Sequence, residues 1–327
     1  MTQVSPQGQI ALTQEVAACV VQLRKLVLSN AGQLDAMIER ATATGKPAQV
    51  LMALFSSKQF RKRFPQLFAG IAYDHSQPEV EYDAPPDMLP RLFEHVANEW
   101  EKLGREQPAW SVLSAEEYRD VGSSDIPEMF YRSGEREVTR LMRALSRHGA
   151  GPTFHKAVEY GCGLGRVSIP LAQHCTSLRA YDISAPHLEI AKKYALKLGA
   201  RHIQFDQIKR PDQPIEVGYD LYYSHLVFQH NPPPLIARLI EQALTGLAPG
   251  GIAVFQLPVF LNGYRFVLAE YLARKRSGIE MHVLPQRVVL DLMERCNCRL
   301  LEVFDSSLNL RDRILSNIFT IQKKAAA

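Results

Sequence analysis

The fold of this chain follows from one stretch, Val158-Glu159-Tyr160-Gly161-Cys162-Gly163-Leu164-Gly165-Arg166. Its start has the pattern of a strand, and a helical pattern follows its last residue. The three glycines between them let the backbone turn tightly and approach a ligand closely. Free amides at the start of the following helix favour an electron-rich group. The stretch therefore predicts a cofactor-binding loop between a strand and a helix.

The spacing of the glycines separates two kinds of cofactor loop, because dinucleotide-binding enzymes also carry glycines after their first strand. A dinucleotide fingerprint has glycine at its first, third and sixth positions. Here Gly165 stands at the fifth position and Arg166 at the sixth. The spacing disfavours a dinucleotide loop, and an NAD(P)-dependent Rossmann oxidoreductase stays as an alternative.

Strand and helix patterns alternate around this turn, which is typical of βαβ units in a parallel sheet. The predicted strands cover residues 157–160, 178–181, 203–205, 219–223 and 252–256, with helices over 166–174, 186–198 and 234–247. Two later strands, 299–304 and 317–322, are expected to form an antiparallel hairpin at the sheet edge. The predicted fold class is α/β, a doubly wound Rossmann-like sheet that is mostly parallel with an antiparallel C-terminal strand.

Three parts are expected along the chain. Apolar residues at helical spacing predict an N-terminal helical module over 1–82. A Pro-rich stretch, Ala84-Pro85-Pro86-Asp87, cannot lie inside a helix, and it opens a linker and helical cap over 83–150. The α/β domain follows over 151–327.

Several motifs in the α/β domain resemble those of class I S-adenosylmethionine-dependent methyltransferases. Glu159 precedes the turn as in their E/D-x-G-x-G-x-G motif, and Asp182 ends the second strand. The segment 219–230 resembles the family's fourth-strand motif, and Leu247-Ala248-Pro249-Gly250-Gly251 resembles its turn before the fifth strand. The resemblance is closest to bacterial small-molecule or glycan-modifying methyltransferases, whose later segments look like 280–286 and 316–319.

This resemblance implies S-adenosyl-L-methionine as the cofactor. Asp182 would hold the two ribose hydroxyls, since a carboxylate can accept both hydrogen bonds, although it could instead only start the next helix. The remaining residues that the resemblance assigns to cofactor binding are Glu159, Gly161, Gly163, Gly165, Ile183, Asp206, Gln207, Ser224, Tyr131 and Gly134.

A hydroxyl acceptor would benefit from a general base near neutral pH, and histidine is the natural choice. His225 and His230 follow the fourth strand, at the carboxyl edge where ligands bind in doubly wound folds. His282 is the third candidate catalytic residue. Each of the three could also only pack or cap.

Composition narrows the class of protein further. A formal net charge of +4 over 327 residues does not call for nucleic acid, and five cysteines without zinc spacing predict no metal site. A polar N-terminus and the lack of a long apolar run predict a cytoplasmic protein with no membrane span. The expected function is methyl transfer to a small polar acceptor such as a sugar or glycan hydroxyl. The alternatives are the oxidoreductase and a non-catalytic partner protein that binds the cofactor.

Overall fold

The computed structural model describes residues 78–123, 125–274, 278–306 and 314–325. These residues all belong to one unit of the chain, Ser76–Ala327. Almost all of the helical module predicted over 1–82 lies outside the described residues.

The strands form two sheets. In chain order they are β1 (Glu79–Val80), β2 (Phe154–Tyr160), β3 (Cys175–Asp182), β4 (Ile203–Gln207), β5 (Tyr219–Ser224), β6 (Leu247–Leu261), β7 (Arg265–Phe266), β8 (Cys298–Asp305) and β9 (Ile314–Lys323). The main sheet has seven strands in the order β4-β3-β2-β5-β6-β9-β8, while β1 pairs with β7. Within the described residues, β9 pairs antiparallel with both β6 and β8, and the other pairings of the main sheet are parallel. The predicted fold class is confirmed.

The order of the strands predicts where a ligand would bind. From β2 the chain first proceeds outward to β3 and β4, and then returns to add β5 on the other side of β2. In open α/β sheets, ligands bind outside the carboxyl ends of the strands where the order reverses in this way. Here that point lies beyond the ends of β2 and β5.

Helices cover both faces of the main sheet. In chain order they are α1 (Leu89–Glu106), α2 (Pro108–Val112), α3 (Glu128–Arg147), α4 (Ser168–Ala172), α5 (Ala185–Lys197), α6 (Pro233–Thr245), α7 (Leu268–Ala273) and α8 (Gln286–Arg295). The apolar face of α3 packs in one core cluster with Leu221 of β5. Helices α1, α6 and α8 pack in another cluster with Tyr222, the next residue of the same strand. Successive strand residues point to opposite faces, so the two clusters lie on either side of the sheet.

Three local predictions differ from the structure. Helix α3 begins at Glu128 rather than at 135, because Pro127 fixes an extended backbone just before a residue suited to a first turn. The helix predicted over 166–174 is only the short α4. The predicted turn over 248–251 lies within β6, where the pairing with β5 shifts register. Within the described residues, no helix is long and apolar enough to cross a membrane.

Candidate active site

A cleft opens at the carboxyl ends of β2, β3 and β5. Helices α1, α2 and α3 form part of its wall, although they lie outside the motif-bearing part of the chain. The lining residues are Val96, Trp100, Ser111, Val112, Glu137, Glu159, Tyr160, Gly161, Cys162, Gly163, Arg166, Val167, Asp182, Ile183, His187, Tyr223, His225, Leu226, Val227 and Asn231.

The turn after β2 depends on glycine at two positions that line the cleft. Gly161 has φ of +80° and Gly163 has φ of +51°, a left-handed region that other residues rarely adopt. A Cβ on Gly161 would lie 2.2 Å from the side chain of Val227, and one on Gly163 would lie 2.9 Å from Val112. The missing side chains therefore let Val227 and Val112 pack directly against the backbone of the turn. Gly165 does not line the cleft.

Asp182 ends β3 beside this turn, with its carboxylate held by two backbone amides. Gly163 N donates to Oδ2 at 2.7 Å, and Ser184 N donates to Oδ1 at 2.9 Å. Each oxygen of a carboxylate can accept a second hydrogen bond. The side chain is thus fixed in place with one acceptor position left on each oxygen, which suits a pair of neighbouring hydroxyls.

Glu159 is buried under the turn, with 4% of the residue exposed. Ser168 Oγ donates a hydrogen bond to its carboxyl group. Burial raises the pKa of Glu159 to about 8, and the nearby negative charge of Glu137 acts in the same direction. The carboxyl is therefore mostly protonated at neutral pH.

Glu137 of α3 is a further acidic residue of the cleft, and the sequence analysis did not find it. Tyr223 donates its hydroxyl hydrogen bond to Oε1 at 2.7 Å, and His225 Nδ1 lies 3.0 Å from the same oxygen. An Arg166 guanidinium nitrogen binds Oε2. Burial alone would raise the pKa of Glu137, but His225, Arg166 and Tyr223 together lower it well below its usual range. Its position beside Val138 on the buried face of a helix was the available signal.

Three more residues of the cleft, which sequence reasoning missed, lie on α1, on α2 and at the start of α5. Ser111 Oγ lies 2.8 Å from His187 Nε2 and also donates to Pro108 O at 2.9 Å. This pair ties α2 to α5. Trp100 of α1 lies beside the pair, with its ring centroid 6.3 Å from that of His187. Helices α1 and α2 therefore form a fixed wall of the cleft.

Of the three histidines predicted as a base, only His225 lines the cleft. Both ring nitrogens of His230 form hydrogen bonds to residues that do not line the cleft. Nδ1 donates to Glu280 O at 3.0 Å, and Nε2 accepts from Gln229 Nε2 at 3.1 Å. Burial lowers the pKa of His230 to about 4, so it is neutral at pH 7. His282 lines a separate cavity, where Nδ1 lies 2.9 Å from the hydroxyl of Tyr264.

Five other predicted cofactor residues do not line the cleft. Asp206 forms an ion pair with Arg179 at 3.1 Å, and Gln207 donates a hydrogen bond to Ile183 O at 3.1 Å. Ser224 donates a hydrogen bond to Tyr160 O at 2.9 Å. The ring of Tyr131 stacks on that of Tyr194 with centroids 3.4 Å apart, and Gly134 packs against Arg166. In contrast, Ile183 lies on the cleft beside Asp182.

Comparison with known proteins finds the same kind of sheet. Residues 157–251 match the family described as a methyltransferase domain. A structure of magnesium protoporphyrin IX methyltransferase from Synechocystis with bound SAH has 16% identity and a TM-score of 0.51, covering 71% of this chain and 99% of its own. The N-methyltransferase NodS from Bradyrhizobium japonicum, also solved with SAH, has 16% identity and a TM-score of 0.46, covering 71% and 98%. No curated protein sequence matches the chain. Residues 157–251 are thus similar to a methyltransferase domain, and the main sheet has the fold seen in a solved methyltransferase.

Proposed function

We propose that this protein uses S-adenosylmethionine to methylate a small polar acceptor, with a sugar or glycan hydroxyl as the acceptor class to test first. The observation that carries the proposal is that the glycine turn and the fixed carboxylate of Asp182 line the same cleft. The amino-acid end of the cofactor would lie along the part of the cleft lined by Gly161 and Gly163. Asp182 has two free acceptor positions for the ribose, and Ile183 supplies an apolar surface for the adenine.

The lining of the cleft supports a polar acceptor. The wall next to the turn is polar, with Glu137, Arg166 and His225 close together. Such a wall suits an acceptor that carries hydroxyl groups better than an apolar one.

His225 is the proposed base of this reaction. S-adenosylmethionine supplies a methyl group that is already activated for transfer, so the protein has mainly to align the acceptor oxygen and remove its proton. His225 lines the cleft with its side chain 14% exposed. His230 and His282 are not on the cleft, so the role that the sequence allowed to any of three histidines is proposed for His225 alone.

Two binding measurements and one labelling experiment test the function. Titration with S-adenosylmethionine and with NAD should give binding of the first only. Incubation with methyl-labelled cofactor and fractionated cell extract should then label a small polar product. Binding of NAD without S-adenosylmethionine would overturn the proposal, and labelling of protein or nucleic acid alone would overturn the acceptor class.

Asp182→Ala is expected to weaken the binding of S-adenosylhomocysteine by about 1.5–3 kcal/mol, because hydrogen bonds to a charged group are lost. This corresponds to a roughly 10- to 100-fold higher Kd by titration calorimetry. Asp206→Ala is the matched control, since this carboxylate ends the neighbouring strand but lies outside the cleft. Equal affinities of the two variants would remove Asp182 from the ribose site.

His225→Gln is expected to lower kcat about 10²-fold or more, the usual contribution of a general base, with the Kd for S-adenosylhomocysteine nearly unchanged. His230→Gln should retain kcat within a few-fold, because that ring is outside the cleft. Single-turnover rates with the labelled acceptor fraction provide the measurement. A fast His225→Gln enzyme beside a slow His230→Gln enzyme would reverse the assignment.

A further inference from the structure

We propose that Glu137 is a positioning residue for His225: its carboxylate fixes the imidazole with a proton on Nδ1, so that Nε2 is free to accept the proton of the methyl acceptor. This inference rests on the proposed function. Glu137 belongs to α3, outside the matched residues 157–251, and it reaches the cleft only because α3 packs across the turn.

The hydrogen-bonding capacity of Glu137 determines which ring nitrogen of His225 carries the proton. The carboxylate of Glu137, kept ionised by its partners, can only accept hydrogen bonds. His225 Nδ1 lies 3.0 Å from Glu137 Oε1, and a proton on Nδ1 is the arrangement in which these two atoms can form a hydrogen bond. The other nitrogen of a neutral imidazole is then an acceptor. In this structure the N–H direction of His225 Nδ1 does not meet the criteria for a hydrogen bond to Glu137 Oε1. Hydrogen bonds between catalytic residues often tighten only when the substrate binds.

The other two partners of Glu137 hold its carboxylate in one orientation. Arg166 binds Oε2, and its own NH1 donates to Ser133 Oγ at 3.2 Å, which ties the guanidinium to α3. Tyr223 donates to Oε1 at 2.7 Å, and burial raises the pKa of this phenol well above its usual value, so it stays a donor. His225 is therefore the partner of Glu137 whose protonation can change during a reaction.

In the proposed reaction one proton and one methyl group are transferred. The acceptor oxygen gives its proton to His225 Nε2 as it forms a bond to the methyl carbon, and the electron pair of the broken sulfur–carbon bond stays on sulfur. Glu137 stabilises the resulting imidazolium, because an opposite charge at this distance favours the charged form. His225 releases the proton to solvent after the products leave.

Glu137→Gln separates this role from that of a simple counter-ion to Arg166. A guanidinium has only donors, so the oxygen of the new amide must face Arg166 and its NH₂ group must face His225. An amide donor forces His225 Nδ1 to accept, which moves the ring proton to Nε2. The variant keeps the size of the side chain but reverses the tautomer.

The first measurement is the ¹⁵N spectrum of the His225 imidazole in the complex with S-adenosylhomocysteine. The wild type should carry the proton on Nδ1 and Glu137→Gln on Nε2, while Glu135→Gln should match the wild type because Glu135 is exposed on the same helix. An unchanged tautomer in Glu137→Gln would overturn the proposal. This readout needs no turnover, so it stands apart from the proposed function.

The second measurement is methyl transfer to the labelled acceptor fraction. Glu137→Gln should lower kcat about 10²-fold or more, with KM for the acceptor and Kd for S-adenosylhomocysteine within about 3-fold. Glu137→Asp keeps a carboxylate and should recover part of kcat. Parallel losses of kcat and cofactor affinity, with no recovery in Glu137→Asp, would show a structural counter-ion and overturn the proposal. If the wild type methylates no fraction, the proposed function fails while the spectra still decide the pairing.

Discussion

Replacement of Gly134 by alanine is expected to lower the free energy of unfolding by about 3 kcal/mol or more, at the upper end of overpacking effects. A Cβ at this position of α3 would lie 1.9 Å from the carbonyl oxygen of Arg166 and 2.7 Å from its carbonyl carbon. Both are backbone atoms and cannot rotate away. Alanine favours helix over glycine by about 1 kcal/mol, so the clash must exceed that gain for the prediction to hold.

The measurement is thermal unfolding with the extrapolated free energy from urea titration. A loss of about 3 kcal/mol corresponds to a fall in Tm of roughly 6–12 °C for a domain of this size. Gly151→Ala is the matched control, because a Cβ there meets only Thr153 O, at 3.9 Å, and the backbone is not left-handed. A Gly134→Ala protein as stable as this control would contradict the close approach of α3 to the turn. Because Glu137 lies one turn further along α3, the variant should also disturb the cleft.

The parts of the fold that the sequence predicts are those with local chemical signals. Strand and helix periods, the Gly161 and Gly163 turn, and a carboxylate at the end of the next strand depend only on neighbouring residues. The strands and the antiparallel hairpin follow from these signals. The placement of Asp206 does not, because it depends on Arg179 one strand away, which draws that carboxylate into an ion pair.

The histidines show why the rest of the site escaped sequence reasoning. His225 and His230 both follow β5, and the sequence could not separate them. Leu226 between them has φ of +60°, an uncommon conformation for leucine that the sequence did not signal. His225 lies on the cleft, whereas His230 lies in the 3₁₀ turn Phe228–His230 against Glu280. Glu137 could not be predicted from the sequence for a related reason, because only the packing of α3 brings its partners close to it.

The wild-type protein is expected to lose stability between pH 4.5 and 8, and Glu159→Gln is expected to remove this loss. Burial raises the pKa of Glu159 in the folded protein from 4.5 to about 8. A raised pKa gives stability that is fully present below the unfolded value and is lost as the pH rises through the folded value. Since a tenfold change in proton affinity corresponds to about 1.36 kcal/mol, the loss is on the order of 4 kcal/mol. A neutral amide of the same size cannot ionise and should show no such loss.

The difference in unfolding free energy between wild type and Glu159→Gln isolates this group. Burial also lowers the pKa of His187 and His230, which adds stability as the pH rises to about 6.5, and both proteins share that opposing effect. In urea titrations at pH 5, 6.5 and 8, the free energy of unfolding of the variant should rise steadily relative to that of the wild type. Glu189→Gln, at an exposed position of α5, should follow the wild type. A constant difference across this range would mean that Glu159 is ionised throughout. If it is protonated, binding of the positively charged S-adenosylmethionine should expel its proton and become tighter as the pH rises towards 8, in the wild type and not in Glu159→Gln.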